Sequence, residues 1–74
     1  IKFNLPRKGH VSLKIYNVAG QLVRTLSDQD WDAGQHSIDW NGKNDVGSSV
    51  ASGVYFYKIE ADSFQSTKKM VLLR

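Results

Sequence analysis

Within the run His36 to Asp39 stand three residue types of hydrolytic chemistry: His36, Ser37 and Asp39. A histidine base, a hydroxyl nucleophile and an orienting carboxylate make an acyl-transfer triad when they converge on one point. In an extended segment they do not converge, because successive side chains alternate between faces and Ser37 and Asp39 then point away from His36. His10 is the other histidine, and no G-x-S-x-G turn is present to expose a nucleophile. A chain of 74 residues also leaves little room for a cleft that excludes water. No catalytic activity is expected.

The run WNGKNDVGSSVASGVY, from Trp40 to Tyr55, raises the second possibility. Asp39, Asn41, Asn44 and Asp45 carry the oxygen donors that calcium prefers. A D-x-[DN]-x-[DN]-G run starting at Asp39 needs an acid or amide at position 43, where Lys43 puts a positive charge. The same residues read well as turn formers, with short side chains bonding their own backbone and glycines free to take positive φ. No metal and no other cofactor is expected. Trp31, set in the acidic, loop-like stretch Asp28 to Gly34, could stack on a sugar ring; its other reading is that it folds back over an edge of the fold. Lys68, Lys69 and Arg74 flank the apolar run Met70 to Leu73. They read as a partner-recognition signal, or as charges that stop an edge strand from pairing with other molecules.

The elements that must position these groups are strands. Ile1, Phe3 and Leu5 alternate with Lys2 and Asn4, and Pro6 and Gly9 mark the turn that follows. Val11, Leu13 and Ile15 alternate with Ser12 and Lys14, so a second strand runs from His10 to Tyr16. Gln21 to Ser27 carries Leu22, Val23 and Leu26, a spacing that fits a kinked strand or one helical turn, and the preceding hairpin signal favours strand. His36, Ile38 and Trp40 share one face of a fourth strand. Val54 to Ala61 is apolar on both faces at its start, which places it centrally, and after a turn at Asp62-Ser63 a last strand runs from Phe64 to Arg74. Ile15, Trp40, Tyr55 and Tyr57 are expected in the core. The fold class is all-β: a small antiparallel β-sandwich of about six to seven strands.

Composition closes off further classes. The chain has no cysteine, so neither a disulfide framework nor a thiolate metal site is available. Its formal charge of +3 is spread over both halves, and the adjacent basic pairs Arg7-Lys8 and Lys68-Lys69 are not interleaved with aromatics. No nucleic-acid partner is expected. The apolar runs fall far short of the roughly 20 residues of a spanning helix, so no membrane insertion is expected. The opening residue, Ile1 rather than methionine, fits a domain cut from a longer protein or a processed product.

Five blocks in order carry a resemblance. They are Ile1-x-Phe3-x-Leu5-Pro6, Val11-Ser12-Leu13-x-Ile15-Tyr16-Asn17-x-x-Gly20-x-Leu22-Val23-Arg24-x-Leu26, Gly34-x-His36-x-x-x-Trp40-x-Gly42-x-Asn44-x-x-Gly47, Ser52-Gly53-Val54-Tyr55-Phe56-Tyr57 and Thr67-x-Lys69-Met70-Val71-Leu72-Leu73-Arg74. The chain resembles the FlgD-like immunoglobulin-like domain, which is similar to the carboxy-terminal sorting domains of type IX secretion substrates. The resemblance implies one immunoglobulin-like domain over residues 1–74, the carboxy-terminal module of a longer bacterial protein, with Trp40 to Gly53 as a crossing between strands. It further implies a non-catalytic sorting or attachment role at the cell surface or outside the cell. The implied partners are the covalently linked upstream domains and secretion or surface-attachment machinery. A structural spacer or assembly module, hook-cap-like roles included, is the alternative; a carbohydrate-binding module using Trp31 is a further one.

Overall fold

Alternation of apolar and polar side chains, clearest in β1 and β2, sets the inner faces of the two sheets. A computed structural model describes residues 1–62 and 64–73. Six strands run in chain order: β1 (Lys2–Leu5), β2 (Gly9–Tyr16), β3 (Leu22–Trp31), β4 (Gly34–Ser37), β5 (Gly53–Ala61) and β6 (Phe64–Leu72). β1 and β4 form a two-stranded sheet, and the other four form a second sheet in the order β3-β2-β5-β6. Every pairing is antiparallel. Among the described residues there is no helix. The expected all-β sandwich is the fold.

Register decides which side chains meet. Leu13 lies opposite Ile59 and Ile15 opposite Tyr57 across β2 and β5, so the inward-facing sets of both strands coincide. From the smaller sheet Phe3 and Leu5 pack on Val11, Leu13 and Ile59, with Ile1, Leu26, Trp31, Ile38, Tyr57, Ala61 and Phe64 around them. Val11, Leu13 and Ile15 are fully buried. Burying a side chain of that size stabilises the fold by about 1.5–3 kcal/mol, a large share for so small a core. Ile15 and Tyr55 are buried, and Trp40 and Tyr57 are half-buried. Trp40 lies edge-on to Tyr55, with ring centroids 5.1 Å apart.

Three boundaries differ from expectation, the simplest being that β6 stops at Leu72, short of the expected run to Arg74. The acidic stretch after Ser27 is not a loop: β3 continues to Trp31, paired with β2 as far as Gly9. Aspartates are tolerated there because Asp28 and Asp30 are exposed on an edge strand, where they meet His10. β3 also carries register shifts opposite Leu13/Lys14 and Ile15/Tyr16, which explain the irregular spacing of Leu22, Val23 and Leu26. The fourth strand stops at Ser37, shorter than the expected run to Trp40. Pairing ends one residue later, where Ile38 and Ile1 exchange two backbone hydrogen bonds of 2.8 and 2.9 Å. Ser63, part of the expected turn, lies outside the described residues.

Candidate functional site

At the β3 side of the sandwich, three rings close the space between the sheets. Trp31 stands edge-on to Phe3 at 5.6 Å and to His36 at 4.8 Å. Its Nε1–H donates to Ser27 Oγ at 2.9 Å, and the Ser27 hydroxyl donates onward to the Val11 carbonyl at 3.3 Å. This chain satisfies a buried hydroxyl and an indole donor together. The half-buried Trp31 thus packs against the core, with one ring edge and its polar atom already occupied. His36 Nε2 lies 2.6 Å from the Asp32 carbonyl, which makes that nitrogen the protonated donor. Ser37 sits on the other face of β4, paired with Lys2. The triad residues are not brought together.

The crossing from Asn41 to Ser52 is held by the oxygens weighed as metal ligands. Asn44 Oδ1 accepts from the backbone N–H groups of Val46 and Ser48. Asn41 Oδ1 accepts from Lys43 N–H and from Arg24 Nη1, the latter at 2.9 Å. Asp45 Oδ1 accepts from Thr25 N–H at 3.1 Å, and Asp45 N–H donates to Val23 at 3.3 Å. These contacts fasten the loop to β3 where the register shifts. Gly47 turns the chain with φ of +85°, a conformation strained for any residue with a Cβ. Trp40 Nε1–H donates to the Lys43 carbonyl, and the Tyr55 hydroxyl reaches back to Ala51 at 2.6 Å. No cluster of three or more His, Cys, Asp or Glu side chains close enough to hold a metal is found among the described residues.

The opposite side of the large sheet is built differently. Among the described residues β6 pairs with β5 alone, which leaves its outer edge bare. Lys68 pairs opposite Tyr57 and Lys69 opposite Phe56, and the two lysines therefore point to opposite faces of the sheet. Lys68 looks inward over the gap between the sheets. Lys69 shares the outward face with Val71, which is 57% exposed, and Leu73, just past the end of β6, is 84% exposed. Arg74 lies outside the described residues. Register adds neighbours that sequence reasoning missed: Tyr16 lies opposite Phe56, and Lys14 opposite Lys58. The outward face of β2, β5 and β6 thus holds half-buried Tyr16 and Phe56 with Lys14, Lys58 and Lys69 around them. Alternation gave the face of each residue, but the pairing register that gathers them is not written in any one strand.

His10 was the other group missed. Its Nε2 lies 2.6 Å from Asp28 Oδ1 and its Nδ1 3.3 Å from Asp30 Oδ1, an arrangement only the doubly protonated ring can satisfy at both ends. The hydrogen bond to Asp28, aided by Asp30 and opposed by partial desolvation, raises its pKa above 6.5.

Comparison with known families bears on what these surfaces belong to. The family model of the FlgD Ig-like domain matches residues 1–65. The chain belongs to that family. This FlgD Ig-like domain has the structural, typically non-catalytic fold that the family provides, built as two packed antiparallel sheets. No curated protein matches the chain. No helix among the described residues is long and apolar enough to cross a membrane.

Proposed function

We propose that this FlgD Ig-like domain is the carboxy-terminal sorting or attachment module of a longer exported bacterial protein, spanning residues 1–74 and read through β6 by secretion or surface-attachment machinery. One observation carries the reading: among the described residues β6 is an unpaired sheet edge along which Lys69 and Val71 stand exposed on one face, with exposed Leu73 just beyond its end. Apolar side chains on a bare edge invite pairing, and a receptor strand would cover them while using the free backbone groups. On this reading the module acts at the cell surface or outside the cell, linked to upstream domains, and takes part in no catalytic step. The lysines do separate work: Lys69 belongs to the receptor-facing side and Lys68 to the inner one. A structural spacer or assembly module is the second reading, favoured by the family match itself.

The experiment uses the full-length host protein. Lys69→Glu combined with Val71→Thr alters only the outward face of β6, and circular dichroism of the isolated domain checks that the fold is kept. Delivery of the folded variant to the cell surface is expected to fall. If delivery stays normal, and an unrelated β-sandwich in place of the module also leaves export intact, the spacer reading takes over.

A further inference from the structure

The smaller sheet covers only part of the larger one, and the uncovered part has the form of a strand-binding groove. Ile1 and Ile38 exchange both backbone hydrogen bonds, so Phe3 and Leu5, two and four residues on, bond to His36 and Gly34 in the same sense. Lys2 and Asn4 therefore direct their backbone N–H and C=O groups away from β4. No strand lies on that side of β1 among the described residues. Beside this edge opens a cleft of about 260 Å³ between Ile1, Phe3, Tyr57, Ile59 and Phe64, with Lys2 and Lys68 at its rim. A water needs only about 10–15 Å³ by that measure, so the cleft has room for side chains. Neither Lys2 nor Lys68 has an ion-pair partner among the described residues.

We infer that the free edge of β1 accepts an extended acidic peptide as an added strand, its apolar side chains lying on Tyr57, Ile59 and Phe64 and its carboxylates beside Lys2 and Lys68. Backbone pairing at Lys2 and Asn4 would supply affinity, and alternation along the added strand would supply specificity. The charge of the rim selects the occupant: opposite charges across paired strands attract, whereas a second copy brings the same lysines and a net charge of +3. This is a surface distinct from the outward face of β6. It holds whether the domain is a sorting signal or a spacer, since either can grip a neighbouring segment this way.

The test is an NMR titration of the isotope-labelled chain with a blocked octapeptide of alternating valine and glutamate. Saturable shifts are expected at the amides of Lys2 and Asn4 and around Tyr57 and Phe64, with slower exchange at Lys2 and Asn4. The valine–lysine counterpart should bind weakly or not at all, and Lys2→Glu with Lys68→Glu should weaken the glutamate peptide about tenfold and admit the lysine one. N-methylation of alternate peptide amides gives a check that leaves the protein untouched: one set should abolish binding and the other spare it. Equal binding of both peptides, equal effects of both methylated sets, or shifts confined to Lys69 and Val71 would overturn the inference. So would concentration-dependent shifts at Lys2 and Asn4 without peptide, which would assign the edge to a second copy.

Discussion

The two edge strands of the large sheet, β3 and β6, face the same hazard and meet it in opposite ways. β3 is fastened along its length: Asp45 and Asn41 of the crossing reach its register shifts, Trp31 locks its end against Phe3 and His36, and His10 bridges Asp28 and Asp30. β6 has β5 on one side and, among the described residues, nothing paired on the other, with exposed lysines and apolar side chains. The difference teaches where this domain spends side chains on its own stability and where it leaves them for contact. An edge covered by its own loop is architecture, whereas a bare edge with charge and apolar surface is an interface or a protected hazard.

The comparison breaks most visibly at Trp31. Trp31→Ala should remove the ring bridge between the sheets and lower stability by about 3 kcal/mol, the lower end for a large aromatic because the ring is half-buried. In a domain of this size that corresponds to a melting temperature lower by roughly 15 °C in a thermal scan. Asp45→Ala should undock the crossing from β3 and cost about 1 kcal/mol, with faster hydrogen exchange at the Thr25 amide as the local sign. On the other edge, Lys68→Glu with Lys69→Glu should change stability by under about 0.5 kcal/mol, because both side chains are exposed and have no ion-pair partner among the described residues. Equal losses at Asp45 and at the lysines in chemical denaturation would erase the distinction between the edges.

The smallest effect is the pH dependence of the β3 edge. A histidine whose pKa is raised on folding contributes stability that is fully present below its unfolded value near 6.5 and is lost as pH rises through the folded value. Relative to His10→Gln, the wild-type chain should therefore hold its advantage at pH 5.5 and lose it by pH 8.5. Melting curves of both proteins across that range would measure it. An advantage that grew with pH would show that Asp28 and Asp30 do not hold the imidazolium.

Much of the fold was legible because side-chain alternation is a local property. Val11, Leu13 and Ile15 announce a buried face without help from any partner, and apolar residues on both faces of Val54 to Phe56 announce the central position that β5 occupies between β2 and β6. The extension of β3 through Asp28 and Asp30 was not legible. Aspartate disfavours strands by its own propensity, and only pairing with β2 and the nearness of His10 override that. For the same reason Lys68 and Lys69 read as one basic pair in the sequence and become two separate features in space. What adjacent residues share along a chain, a strand divides between its faces.

The pairing of Ile1 with Ile38 has a consequence for the order of events in folding. These residues stand 37 positions apart, so β1 finds its partner only by closing a long loop. During synthesis β1 must wait, unpaired with β4, until β4 has emerged, while β2 and β3 can already meet as a hairpin. Contacts of such separation slow two-state folding, and here they belong to the strand that covers the core. The interval before β1 docks is when Val11, Leu13 and Ile59 are open to water and to other chains. The rate of closing that one loop therefore bears on how long the nascent domain is open to aggregation.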